Sequence, residues 1–313
     1  MEERQSLGHL AALFTVVNWG TTFIATKILL VSFTPVEILL MRFVLGYLAL
    51  WAVCPRRLRV GDWKKEGAFL AAGLTGVCLY YLLENFALTF STASNIGVIG
   101  AVSPLFTALL ALLVSRGRER LKLNFFLGFC VSIGGICLIS WNGLQLSSDL
   151  RGEALAICSA LVWACYSLLT RRIGGFGWDT IPTTRRVFGW GILFMVPFAV
   201  GMRFQWKPEQ VLEPVNLALL LYLGLGACAA CFVTWNFAIK TLGPIKTMVY
   251  IYLVPVITVV CSVLILKEVV TPAAAAGTAL TLAGLIVSQW DSLRQLRRGS
   301  APAPKEDEPP KQS

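Results

Sequence analysis

Charge is what this 313-residue chain has least of. Only 14% of its residues are Asp, Glu, Lys or Arg, where a soluble globular chain carries about 25%. That deficit excludes an ordinary water-facing surface and fits one that faces lipid, where a charge costs several kcal/mol. Histidine is almost missing: His9 is the single one, near the N-terminus, and reads as an interfacial residue. No acidic pair motif, histidine cluster, serine-based triad or nucleotide-binding loop is present. These absences argue against an intramembrane lipid-modifying enzyme, which stands as the alternative in a different class, and against drive by ATP. The nine cysteines give no disulfide framework. Cys54 is near a loop, and the others lie inside apolar segments, where Cys behaves as a small hydrophobe. Cys228 and Cys231 have metal-ligand spacing, yet no His or carboxylate neighbours them in sequence, so no metal and no cofactor are expected.

What the chain has is apolar length. It is 56% hydrophobic, with a mean hydropathy of +0.71. Crossing a ~30 Å hydrocarbon core takes ~20 apolar residues, and ten segments qualify: 9–30, 35–53, 67–88, 91–114, 123–141, 152–170, 181–201, 216–238, 244–266 and 272–290. The first is not read as a signal peptide, because no small-residue cleavage site ends it and nine more spans follow. The chain is therefore expected to be an all-α integral membrane protein with ten transmembrane helices. Its net charge of +10 is not read as a nucleic-acid signal, because basic residues orient a membrane protein. One alternating set of loops holds Arg4, Arg56, Arg57, Arg59, Lys64, Lys65, Arg116, Arg118, Arg120, Lys122, Arg171, Arg172, Lys240, Lys246 and the arginines and lysines after Trp290. The other holds only Arg151, Arg203, Lys207 and Lys267. The positive-inside rule then places both termini in the cytoplasm, in a plasma (inner) membrane. Residues 291–313 are polar and proline-rich and are expected to be a disordered cytoplasmic tail.

The chain also repeats. Asn85, Phe86 and Ala87 return 151 residues later as Asn236, Phe237 and Ala238. At the same offset Gly73, Val98, Pro104 and Thr107 return as Gly224, Val249, Pro255 and Thr258. At offset 144, Trp19 and Lys27 match Trp163 and Arg171, and at offset 149 Glu119, Gly128 and Gly135 match Glu268, Gly277 and Gly284. Arg42-Phe43-Val44-Leu45-Gly46 lines up with Arg185-Arg186-Val187-Phe188-Gly189. The halves are read as 1–148 and 149–290, five spans each. An odd number of spans turns the second half over, and such inverted repeats mark transporters with a site near the midplane.

In this order the motifs resemble the EamA family of the drug/metabolite transporter superfamily. They are Trp19-Gly20 with Lys27, Pro35 with Arg42-Phe43, Ser94-Asn95, Ser103-Pro104-Leu105, and Gly117-Arg118-Glu119-Arg120-Leu121, over residues 8–290. The resemblance implies two inverted five-helix repeats and alternating access. In many bacterial members it also implies efflux of amino acids or related compounds; within transport, a drug or nucleotide-sugar carrier is the alternative. The second half departs from the pattern, with Ala164-Cys165 where the first has Gly20-Thr21. The partners are a small-molecule substrate and the lipid bilayer, with coupling to protons or facilitated diffusion.

Candidate residues follow from helical spacing. Gly73, Gly76, Tyr80, Glu84 and Ala87 share one side of the third helix, with Tyr81 and Asn85 beside it. In the fourth, Asn95 and Ser103 are the cavity candidates, beside a strip (Gly97, Gly100, Pro104) read as helix packing. Asn18, Trp163, Asn236 and Tyr250 complete the candidate cavity, and Trp235 is assigned to the interfacial belt. Pro104 and Pro255 should each free a carbonyl, at Gly100 and Ile251; the reading is a hinge for alternating access, against a mere packing kink. Glu84 either snorkels to the interface or takes a proton, because desolvation favours the neutral form of a carboxyl. Arg42 either reads a substrate carboxylate or forms an ion pair within the bundle. Lys27 and Glu37 are expected to pair, and Glu119 and Glu268 to complement the dipoles of the helices that follow them.

Overall fold

The computed structural model describes residues 2–114, 123–147, 150–242, 247, 250–288 and 290. Glu119 and the Gly117–Leu121 motif, Lys246 and the tail lie outside the described residues. Ten helices occupy the ten expected segments: α1 (Glu2–Leu29), α2 (Pro35–Val53), α3 (Trp63–Phe90), α4 (Ala93–Val114), α5 (Leu123–Ser147), α6 (Arg151–Gly174), α7 (Thr180–Gly201), α8 (Pro214–Ile239), α9 (Tyr250–Leu266) and α10 (Pro272–Ser288). Seven are both long and apolar enough to cross a membrane. Of the other three, α9 and α10 are shorter apolar helices, and α7 carries Arg185 and Arg186 near its start. No strand occurs among the described residues.

Local chemistry sets the helix starts. Thr34 and Glu37 form a capping box at the start of α2, with Pro35 at its first turn. Asp62 caps α3 through the Lys64 amide, and Thr92 caps α4 through the Asn95 amide. Each cap satisfies an amide that has no partner inside its helix. Leu193, Val196 and Val200 on α7, like Val256, Val260 and Leu264 on α9, stay exposed at helical spacing. Such apolar outer stripes are what lipid contact requires.

The most extensive helix pair is α5 with α10. Gly128 meets Gly284, Gly135 meets Gly277, and a Cβ at any of the four would overlap the facing backbone. Between them the Ser132 hydroxyl donates to the Thr281 carbonyl at 3.1 Å. Offset 149 sends Gly128 to Gly277, Ser132 to Thr281 and Gly135 to Gly284. Each contact is therefore the image of another, and the order is antiparallel. A twofold relation with its axis at Ser132–Thr281 is built into the packing. Elsewhere Gly8 packs against Leu242, as its counterpart Gly152 packs against Ser91. The fold is thus all-α with two inverted repeats.

The same reciprocity corrects one expected alignment. Gly73 lies against the Val187 carbonyl and the Gly191 amide, and Gly224 lies against the Arg42 carbonyl and Leu45. Gly46 meets Cys228 as Gly191 meets Val77. The α2–α7 offset is therefore 145, so Gly46 answers to Gly191 and Arg42 to Val187. Arg42 has no cationic counterpart. The Arg-Arg and Gly-Gly matches in sequence had slipped the register by two.

Candidate functional site

Both third-helix copies are wound wide in the same place. Gly73–Leu79 of α3 and Tyr222–Ala230 of α8 are π-helix, and offset 151 maps one start and one end near the other. π-helical turns are rare and concentrate at functional sites. The wide turn also breaks the expected single face of α3. Gly73 faces α7, whereas Gly76 seats the ring of Tyr166 on α6.

Around that turn buried Arg42 and Glu84 lie among the half-buried rings of Tyr80, Tyr81 and Trp163. Arg42 is 1% exposed. Its Nε donates to the Cys228 sulfur at 3.4 Å, its guanidinium carbon lies 4.5 Å from the Tyr81 ring centroid, and its Nη1 has no hydrogen-bond partner. Glu84, 5% exposed, stands one turn beyond Tyr80 on the same side of α3, and no ion pair joins it to Arg42 among the described residues. Tyr80 touches Tyr81 (ring centroids 4.6 Å) and Trp163 (4.5 Å), and Trp163 touches Tyr166 (4.9 Å). Glu84 therefore does not snorkel out, and Arg42 does not make the alternative ion pair within the bundle.

Of the candidates named from sequence, the fold brings Tyr80, Glu84 and Trp163 together. The others lie apart from this cluster. Asn18 packs where α1 crosses α8, with its carbonyl accepting the Tyr222 hydroxyl at 2.8 Å; that hydroxyl also meets Thr21 Oγ1 at 2.6 Å. Asn85 is fully buried, its amide donating to the Pro35 carbonyl at 3.0 Å. Asn236 donates to Phe232 within its own helix. Tyr250 meets His9 at 2.7 Å, beside a cavity of about 380 Å³ that Gln5, Ser6 and Leu13 also line. Trp235 lies against Trp19, 5.1 Å between centroids.

The helix does break ahead of the first proline: α4 is interrupted at Ala101–Val102, before Pro104. The described stretch of α9 starts with a tight 3₁₀ turn over Tyr250–Tyr252, ahead of Pro255. The freed Gly100 carbonyl accepts the Ser103 hydroxyl at 2.6 Å, so Ser103 serves the kink. A Cβ on Gly100 would meet nothing, so this part of the strip is not packed; Gly97, by contrast, packs on Thr258.

One end of the bundle is tied shut. Glu268 accepts the Ala93 amide at 2.8 Å, the Ser94 amide at 3.1 Å and the Ser94 hydroxyl. Ser94 also meets Ser262 at 2.6 Å. Lys27 donates to the carbonyls of Leu88 and Ser91. Glu153 accepts the Ser91 hydroxyl at 2.6 Å and the Asn95 amide at 3.4 Å. Two expectations are corrected here. Glu268 caps α4 across the halves and not the helix that follows it, because the α9–α10 loop lies over the α4 start. Lys27 does not pair with Glu37, whose carboxylate instead accepts the Thr34 amide at 2.8 Å and the Gln205 amide at 3.1 Å. At the opposite end Arg186 pairs with Glu66 at 2.7 Å, and Arg185 donates to the carbonyls of Cys54 and Arg56.

Sequence reasoning placed Tyr81 beside the chosen face of α3 without selecting it, and it missed Tyr222. The available signal was the aromatic run Tyr80-Tyr81 facing a repeated tryptophan.

The EamA-like transporter family model matches the chain twice, over residues 6–141 and 150–289. An uncharacterized transporter of Archaeoglobus fulgidus is 28% identical over 284 residues, covering 90% of this chain and 96% of that protein. A probable terminal-alkyne amino-acid exporter of Streptantibioticus cattleyicolor is 28% identical over 302 residues, covering 93% and 96%. A solved crystal structure superposes with a TM-score of 0.59 at 19% identity, covering 92% of this chain and 98% of its own; it shows the fold alone.

Proposed function

The chain belongs to the EamA-like transporter family and is a multi-pass membrane transporter, and from that premise we propose that it exports amino acids or related small metabolites by alternating access. The observation that carries this reading is the cluster of buried Arg42 and Glu84 with the half-buried rings of Tyr80, Tyr81 and Trp163, beside a fourth helix interrupted ahead of Pro104. The exporter among its relatives supports the direction and the substrate class. In this reading the halves run 1–148 and 149–290. Both termini and the tail face the cytoplasm of a plasma membrane, and the tied Lys27–Glu268 end faces outward. Tyr80, Glu84 and Trp163 line the substrate site. Asn18, Asn85, Asn95, Ser103, Asn236 and Tyr250 border the path toward either end. Pro104 and Pro255 are hinges, letting each α4 or α9 half tilt separately. Glu84 is the group that would exchange a proton if transport is coupled to one.

The test is flux in liposomes containing the purified chain, with a broad metabolite panel and with or without a pH gradient. Movement of amino acids against the remainder of the panel supports the reading. Failure of every compound to move under either condition refutes it.

A further inference from the structure

We infer that Arg42 and Glu84 form a two-point clamp for a zwitterion, Arg42 taking the substrate's carboxylate and Glu84 its ammonium, with aromatic rings receiving an apolar side chain. This rests on the transport reading above and narrows its substrate class to neutral α-amino acids.

Arg185 and Arg186, at one end of the bundle, are partnered quite differently from Arg42. Arg186 is met by both Glu66 oxygens and the Leu58 carbonyl, and Glu66 also takes the Trp190 indole N–H at 2.6 Å. Arg185 is held by two carbonyls. Arg42, more deeply buried than either, has only a thiol on Nε and nothing on Nη1. A buried donor without an acceptor is costly, and buried charge more so. The acceptor that would relieve it is close by: Tyr81, under the guanidinium, and Glu84 are three residues apart on α3 and so are neighbours on one side of it. Folding alone would favour a direct pair. Instead the Arg42 guanidinium lies over the Tyr81 ring, and the Glu84 carboxyl stands one turn from Tyr80.

A ligand that satisfies both must carry both charges. A carboxylate alone would leave Glu84 uncompensated, and an amine alone would leave Arg42 so. A guanidinium suits a carboxylate because its planar fork presents two parallel donors. Beside Glu84, the rings of Tyr80 and Trp163 supply faces that attract a cation and apolar area for the substrate's side chain. The asymmetry of the halves agrees with one clamp per molecule, since Val187 replaces Arg42 and Trp235 replaces Glu84 in the second half.

The experiment uses the full chain in proteoliposomes. Uptake of radiolabelled L-leucine, L-phenylalanine, L-tryptophan and L-threonine is competed by each one's decarboxylated amine and deaminated acid. The clamp requires each single-charge analogue to compete about 10- to 100-fold less well than its parent, the span of one charge-assisted hydrogen bond. Glu84→Gln should remove the preference over the deaminated acid and keep that over the amine; Arg42→Gln should do the reverse. Arg42→Lys, which keeps the charge and loses the fork, guards against misfolding and should weaken the preference over the amine while the chain still elutes as a folded species. The clamp is overturned if single-charge analogues compete as well as the parents, or if folded Glu84→Gln keeps every preference. It is also overturned, with transport itself intact, if the chain moves compounds of the broad panel but no amino acid. If nothing in either panel moves, the transport reading falls and takes the clamp with it.

Discussion

Replacing Glu268 by Gln tests whether the tied end is a gate. The carboxylate caps α4 from the opposite half, with acceptor bonds to two amides and a hydroxyl. A charge-assisted hydrogen bond contributes about 1.5–3 kcal/mol and a neutral one about 0.5–1.5. The negative charge at a helix start adds about 0.3–1 kcal/mol. Gln keeps one acceptor and no charge, so the closed arrangement should lose about 2 kcal/mol, which shifts a two-state equilibrium about thirtyfold toward opening. The reporter is Ser262→Cys, since Ser262 is fully buried beneath Ser94. Its reaction with a membrane-impermeant maleimide is followed by peptide-resolved mass spectrometry, which separates it from the native cysteines. In the Glu268→Gln background the rate should rise about thirtyfold. A rise of less than about threefold in a chain that still elutes as folded would refute the gate, because the lost bonds would then not have been holding this end shut.

Other expectations follow from the same packing. Gly135→Val should cost about 3 kcal/mol by overpacking α10, whereas Gly134→Val, whose side chain would meet nothing, should leave the melting temperature nearly unchanged; melting in detergent separates them. Glu66→Gln leaves Arg186 without a countercharge. Breaking a buried pair costs about 3–5 kcal/mol, but the Arg186 side chain is 32% exposed, so about 1–3 kcal/mol is expected in denaturant melts. Pro104→Ala with Pro255→Ala restores up to one backbone hydrogen bond in each helix, about 1 kcal/mol each. Melting temperature should hold or rise while liposome flux falls, and unchanged flux would remove the hinge role.

Much of the fold was legible because membrane insertion depends on local properties. Apolar length set the ten helices, and the glycines repeated at offset 149 marked the duplication, though their close contact between α5 and α10 emerged only in the fold. The break ahead of Pro104 was readable because proline has no N–H to close the preceding turn, although Pro197 sits within an uninterrupted α7. The site was legible only in part. Tyr80, Glu84 and Trp163 stood out as polar or aromatic groups at depth. Asn95, chosen on the same grounds, lies in the tied end, because the break at Ala101–Val102 and the Glu268 cap move its turn away from the cluster. The two-residue slip between α2 and α7 had a similar cause. Gly recurs at both spacings there and Arg only at the slipped one, and only backbone contact at Gly73 and Gly224 distinguishes them.

The sequence by itself determined that the chain crosses a membrane, that it is built twice, and that the second copy is inverted, because composition, repeat offset and span parity need no knowledge of contacts. Tertiary structure alone decided which groups meet. The π-turns of α3 and α8 rotate their faces away from ideal 3.6-residue spacing, so Gly76 receives Tyr166 while Gly73 receives α7. Glu268 acts on a helix some 175 residues distant in sequence. Arg42 and Glu84 share one buried site yet remain unpaired, and a relation of that kind depends on distances between helices that no local pattern encodes.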